Sequence, residues 1–302
     1  CSFIPKIQIF FYMQTRYINQ LSMMSTSKNG LENGKSFHKF FESWLVKQNQ
    51  DLDQLVRASK DDNNNNDMML SPLIHSVVKH YEEYYREKSR YANSDVLGML
   101  HPSWLSNLED AFLWIGGWRP SMAFHLLYSK SGIQLEANLH ELIRGFNTKD
   151  LGNLSGNQLV LIDELQHKTI SEERKLSENL AKVQESLADT SMVELSHVVS
   201  ELMRDELVVN DEEEKMEKSI SKKEESLLDL LKKADDLRLS TIKEILRILT
   251  SIQSVHFLIA AAELHLRIHE WGKKKDAAVS HHKWSCQTIN EEPNSEGTSV
   301  RN

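Results

Sequence analysis

The sequence predicts an all-α fold, a multi-helix bundle with several long antiparallel helices. Three observations carry that reading. Apolar residues recur at spacings of three and four along most of the chain, the period of an amphipathic helix. Helix breakers are scarce, with 5 prolines and 11 glycines in 302 residues, so long stretches run uninterrupted. No segment alternates apolar with polar residues as a half-buried strand does, and no strand–glycine–helix unit is present.

The elements follow in order. Phe37, Phe40, Phe41, Trp44 and Leu45, then Leu52, Leu55 and Val56, mark a first amphipathic helix that begins after the polar run Ser25–Lys35. The run from Asp61 through Asn63, Asn64, Asn65 and Asn66 to Asp67 breaks it as a polar loop. Ser71 is a suitable N-cap with Pro72 in the first turn, and Leu73, Val77, His80, Tyr81, Tyr84 and Tyr85 form the buried stripe that follows. After His101-Pro102, Ser103 or Ser106 caps a short helix carrying Trp104, Leu108, Ala111, Phe112 and Ile115, which Gly116-Gly117 ends. Pro120-Ser121 opens another, with Phe124, Leu127 and Tyr128, closed by Gly132; Leu135, Leu139, Leu142 and Ile143 follow up to Gly145.

From Ser155 the chain reads as longer, charge-laced helices. Leu159, Ile162, Leu165, Thr169, Leu176, Leu180, Val183 and Leu187 give one stripe, and Met192, Leu195, Val199 and Leu202 a shorter one. Met216, Ile220, Leu227, Leu230, Ala234, Leu237, Ile242, Ile245 and Leu249 give another. These stripes resemble coiled-coil seams, which fits either a homodimer or packing within one bundle. Thr250-x-x-Gln253 is a capping-box pattern that starts a last helix with Phe257, Ala261, Leu264, Ile268 and Trp271, and Gly272 at its C-terminal end. The expected organisation is an extension over 1–30, a helical domain over 36–275 and a disordered tail over 276–302. The sequence opens on Cys1, so the extension is read as an artefact or disordered, with Met23 or Met24 as the natural start.

Composition excludes several classes. A net charge of −8 opposes a broad phosphate-tracking surface, and no long basic helix precedes a leucine zipper, so direct DNA binding is disfavoured. Cys1 and Cys286 form neither a disulfide framework nor a zinc pattern, which points to a reducing compartment. No apolar run approaches the ~18 residues a membrane helix needs. Gly-x-Ser-x-Gly, a phosphate-cradling glycine loop and His-Glu-x-x-His are all missing, so the expectation is a non-enzymatic protein.

Two motifs stand out. Trp104, Trp114 and Trp118 crowd around Glu109, Gly116, Gly117, Arg119, Pro120 and Ser121. The glycine pair permits a sharp turn, and Arg119 is placed to lie on an indole face or to pair with Glu109. This is either a Trp-packed corner or a ligand pocket floored by indoles. His265 and His269, at i and i+4, share one helix face, the usual geometry for joint metal ligation, and a zinc site would need a third ligand. Two half-buried histidines are the plainer reading. Haem takes axial ligands on opposite faces of its ring, so one helix face offers one axial ligand, or two only after local distortion or by sharing between chains.

The Trp104–Ser121 stretch resembles the signature of the delay-of-germination domain of plants, shared with the C-terminal part of TGA-type bZIP transcription factors. Phe41-Glu42-Ser43-Trp44-Leu45 resembles that domain's first-helix motif, and Leu264–Gly272 its closing motif. The similarity spans residues 36–275, in the right order. The resemblance implies roles in seed dormancy, germination and abscisic-acid signalling, nuclear residence, and binding of type 2C protein phosphatases through the segment Phe41, Glu42, Ser43, Trp44 and Leu45. It also implies haem binding through His265 and His269, and an apolar pocket of the kind that holds a fatty-acyl ligand in TGA domains. The alternative it leaves is a transcription-associated module that reaches DNA directly or through a bZIP partner.

Overall fold

A computed structural model describes residues 28–60, 67–138, 150–204 and 210–288. The asparagine run at 61–66, the residues before 28 and the stripe from Leu139 to Gly145 lie outside them. Within them the chain is an all-α bundle, and its one β pairing is an isolated bridge between Trp114 and Gly117. In chain order the helices are α1 (Lys28–Lys60), α2 (Asp67–Ala92), α3 (Val96–Leu100), α4 (Asn107–Asp110), α5 (Met122–Ala137), α6 (Gly156–Glu185), α7 (Thr190–Arg204), α8 (Asn210–Ile248) and α9 (Ser251–Thr288).

Two long partnerships organise them. α8 packs mainly along α6 and α7, and α9 mainly along α1. α2 is the shared member and touches α1, α8 and α9. The link between α8 and α9 is short, so consecutive helices belong to different partnerships. Its geometry is set by the expected capping box: Thr250 N donates to Gln253 Oε1 at 3.0 Å and Gln253 N to Thr250 Oγ1 at 3.4 Å. A second box, Ser155 with Gln158, starts α6.

Three apolar clusters fill the interior. One joins Phe37, Phe41 and Trp44 of α1 to Met99, Trp104, Ile115 and to Leu230, Leu231 and Ala234 of α8. A second gathers Phe124, Leu127, Leu151, Ile162, Ile245 and Phe257. The third sits between Leu55, Leu70 and Val77 on one side and Val255, Leu258 and Ile259 on the other. One early turn of α9 is apolar on every side: Phe257, Leu258, Ile259 and Ala260 are consecutive and all buried, as a central helix requires.

Several expected boundaries move. α1 begins at Lys28, inside the polar run and before residue 36. α2 begins at Asp67, whose carboxylate suits the positive end of the helix dipole; Ser71 is therefore not its cap, and Pro72 lies inside it. α4 is a single turn ending at Asp110, so Trp104 precedes it and Phe112, expected inward, is 62% exposed. Gly132 does not close α5, which continues to Ala137. That last stretch is held from outside, by Ser131 Oγ donating to the Leu151 carbonyl (2.8 Å) and Leu151 N donating to Gln134 Oε1 (3.0 Å).

Gly272 is not a helix end either. α9 runs on to Thr288, so residues 276–288 are helical rather than part of a disordered tail. Gly272 is buried because α9 crosses α4 there: a Cβ at this position would lie 2.0 Å from Ser106 Oγ and 2.6 Å from Ser106 Cβ. One turn on, Asp276 accepts from Asn107 N (3.0 Å) and Asn107 Nδ2 (2.9 Å). Gly272→Ala is expected to destabilise the fold by about 1–3 kcal/mol through overpacking. Urea denaturation measures this, and an unchanged midpoint would mean that α9 does not press on α4.

Candidate functional site

The glycine pair forms a turn inside the bundle. Ile115 (φ 45°) and Gly116 (φ 64°) both adopt positive φ, while Trp114 N donates to the Gly117 carbonyl at 2.8 Å and Gly117 N to the Trp114 carbonyl at 3.3 Å. Positive φ at both central positions is the type I′ pattern. A side chain at Gly116 would be strained by its φ and would meet the Met99 carbonyl at 2.7 Å.

Buried carbonyls need donors, and two buried cations supply them. Lys88 Nζ donates to the Gly116 carbonyl (2.7 Å) and to Asp235 Oδ1 (2.9 Å). Arg238 donates from Nε to the Trp118 carbonyl (2.6 Å) and from Nη2 to the carbonyls of Ile115 (3.0 Å) and Trp114. Its Nη1 donates to Asp235 Oδ1 at 2.5 Å. Burial pushes the Lys88 amine down to about 8, against the pull of Asp235.

The outer side of the turn is fixed by Glu173 of α6. It accepts from Arg119 Nε (2.9 Å) and Ser121 N (2.5 Å), so Arg119 pairs with Glu173 and not with Glu109. The Arg119 guanidinium lies 5.7 Å from the Trp114 ring centre, as the indole-facing alternative required. Glu109 instead closes a capping box with Ser106 and turns its carboxylate towards α9.

The first-helix motif and the closing motif meet face to face. Trp44 packs edge-on to His265 with ring centres 5.6 Å apart, and Phe41 to His269 at 5.7 Å. His265 Nδ1 lies 2.8 Å from Gln48 Oε1, while Gln48 Nε2 donates to the Tyr81 hydroxyl at 3.2 Å. His269 Nδ1 lies 3.0 Å from both oxygens of Glu109. An acceptor at each Nδ1 places the proton there and leaves Nε2 as the basic nitrogen. Burial lowers His265 to about 4. Burial also pushes Glu109 upward, but its hydrogen bonds from His269 and Ser106 outweigh this and hold it below the usual range.

These motifs wall a cavity of roughly 200 Å³. Trp44, Trp104 and Trp118 line it together with Lys88, Arg238 and His265. Of the residues singled out in the sequence, Trp44, Trp104, Trp118, Gly116, Gly117, Arg119, Pro120 and His265 line this cavity, while Lys88, Glu173, Asp235 and Arg238 were not singled out. A signal existed: Lys88 continues the stripe Val77–Tyr81–Tyr84, and Glu173 falls between Thr169 and Leu176. A charge on a buried stripe is a mark of a paired interior ion.

Of the expected docking segment, Phe41 and Trp44 belong to the core at 2% and 5% exposure, and Leu45 is partly buried. Glu42 and Ser43 face outward. Among the described residues no cluster of three or more His, Cys, Asp or Glu side chains is placed to hold a metal ion, and no helix is long and apolar enough to cross a membrane.

Comparison with known proteins identifies the family. The family model described as seed dormancy control, DOG1, matches residues 49–129. Arabidopsis thaliana DOG1-like 4 is 32% identical over 255 residues, covering 83% of this chain and 97% of that protein. The chain belongs to the DOG1-like family. Arabidopsis thaliana DOG1-like 1, at 31% over 263 residues, covers 78% of this chain and 88% of its own. The transcription factor TGA2 of the same plant is 28% identical over 250 residues, covering 81% of this chain and 64% of the factor.

Haem was the cofactor expected at the DOG1-like closing motif. The histidine tautomers suit an axial ligand, since metal-bound histidines usually donate their other ring N–H to a carboxylate or carbonyl. The space does not suit one haem at both rings: they share a face of α9, and His265 is packed beneath Trp44. His269, with Glu109 behind it and its side chain 17% exposed, meets the requirement for a single ligand better.

Acid is expected to weaken the fold through His265. Its folded pKa is about 4 against 6.5 for the free side chain, so between those values the unfolded chain binds the extra proton and stability falls as pH falls. The fully developed loss is ~3 kcal/mol. Glu109, held low, acts in the same direction below its ordinary range. Urea midpoints followed from about pH 7 to about pH 4 would show the slope, and His265→Gln would flatten it. An equal slope in that variant would remove His265 as the cause.

Proposed function

We propose that this chain is a non-enzymatic regulator of seed dormancy and germination in abscisic-acid signalling that acts by binding type 2C protein phosphatases in the nucleus. What carries the reading is its near-full-length relation to the DOG1-like proteins, whose family description is seed dormancy control. The geometry adjusts where a phosphatase would dock. Phe41 and Trp44 hold α1 to α2 and α9, so they position the helix, and its outer stripe of Glu42, Ser43, Val46 and Gln50 meets the partner. Val46 is 60% exposed, an apolar contact ringed by polar residues, as interface anchors often are.

The test separates surface from core. Glu42→Arg with Val46→Asp is expected to cut phosphatase capture at least about tenfold, the scale of one lost anchor, with helix content unchanged. Trp44→Ala is expected to lower capture only as it lowers the unfolding midpoint. Undiminished capture by the surface variant would sink this docking face.

Haem at His269 is a second reading, favoured by the Glu109–His269 bond. A haemin titration is expected to give a saturable Soret band that His269→Ala abolishes and His265→Ala retains. A band that survives both substitutions removes α9 from the account. The TGA2 relation favours a bZIP partner as the route to transcription, which a mobility-shift assay with and without that partner decides.

A further inference from the structure

We propose that the cavity beneath the Trp114–Trp118 turn binds a compact aromatic carboxylate, with Lys88 receiving the anion. This does not depend on the phosphatase reading. The first argument is charge. Lys88 and Arg238 are 2% and 4% exposed and share one carboxylate, Asp235, at 2.9 and 2.5 Å. One positive charge is thus left uncompensated at the wall of an apolar cavity, and burying an unpaired charge is costly.

The second argument is donor count. An ammonium carries three N–H groups, and those of Lys88 meet two acceptors among the described residues, the Gly116 carbonyl and Asp235. Tyr84 and Tyr85 also line the cavity, and burial raises both hydroxyls so that they stay protonated. They are donors to an anion and not competing charges.

The third argument is shape. Phe41, Trp44, Tyr84, Trp104 and Trp118 give flat, rigid walls that prefer offset or edge-on contact with another ring. A volume of roughly 200 Å³ falls below the ~300–1,000 Å³ of sites for drug-sized ligands. Haem or a long acyl chain exceeds that space, whereas a one- or two-ring acid is of its scale. Its ring lies against the indoles and its carboxylate completes the Lys88–Asp235–Arg238 cluster.

Calorimetric titration of the full chain with 2-naphthoate, 2-naphthamide and hexadecanoate tests this. The acid is expected to bind at least about tenfold more tightly than the isosteric amide, through one charge-assisted hydrogen bond. Lys88→Met, in which Asp235 keeps Arg238, is expected to erase the preference while the fold persists by far-ultraviolet dichroism. Ala261→Phe, which fills the cavity from α9 without touching the cations, is expected to abolish binding of both aromatic probes. Equal affinity for acid and amide in the wild type, absence of 2-naphthoate binding, or hexadecanoate bound in its place overturns the proposal. So does an unchanged acid preference in a folded Lys88→Met protein.

Discussion

The carbonyls of the Trp114–Trp118 segment are the constraint around which the bundle is arranged. A tight turn threaded between helices has a single bridge, Trp114 with Gly117, to satisfy its backbone, and its remaining buried carbonyls need side-chain donors. Here Trp114, Ile115, Gly116 and Trp118 each present a carbonyl that is taken by Lys88 from α2 or Arg238 from α8. The turn thereby ties α8 to α2, the helix shared by the two partnerships. The asymmetry of hydrogen-bond energetics explains why this matters: a bond made is worth about 1 kcal/mol, but a buried carbonyl left without one costs roughly 1–3 kcal/mol. Removing Arg238 would orphan the Ile115 and Trp118 carbonyls together and leave Asp235 to Lys88 alone.

α9 supplies the second tie through a single stripe. His265, His269, Gly272 and Asp276 succeed one another at helical spacing and meet Gln48, Glu109, Ser106 and Asn107. What reads in isolation as a histidine pair is the upper half of a four-contact register. Each contact uses a different physics, from an amide acceptor and a carboxylate to a missing Cβ and a second carboxylate. A slip of α9 by one residue would break all four, which fixes its position along α1 and α4. The histidines are therefore structural first, and any ligand at them acts on a register already set.

This also explains what was legible beforehand. Period and caps are local, so the stripes of α6, α7 and α8 and the box at Thr250 could be read from spacing alone. Helix ends were misplaced wherever a distant residue decides them. Gly132 and Gly272 look alike in sequence, yet a Cβ at Gly132 would meet nothing and one at Gly272 would strike Ser106. The buried cations gave a weaker signal: Lys88 falls on the stripe of Val77, Tyr81 and Tyr84, but the Gly116 carbonyl it serves lies twenty-eight residues on. The site's residue types were legible in its aromatics and glycines, and the charges that organise them were not.

α1 is where a cavity ligand and a surface partner would communicate. Its inner side gives Phe41, Trp44 and Gln48 to the cavity, and its outer side carries Glu42, Ser43 and Val46. A rigid helix with one face in each site converts any ligand-dependent shift in its packing into a change of the outer surface. By linkage the effect is reciprocal: a ligand that alters partner affinity by some factor has its own affinity altered by the same factor. The size of that coupling is bounded by how differently the ligand binds the two positions of α1, not by how tightly it binds overall. Because His265 joins Gln48 on that inner face, α9 would move with α1, and the register at Glu109 and Ser106 would resist it.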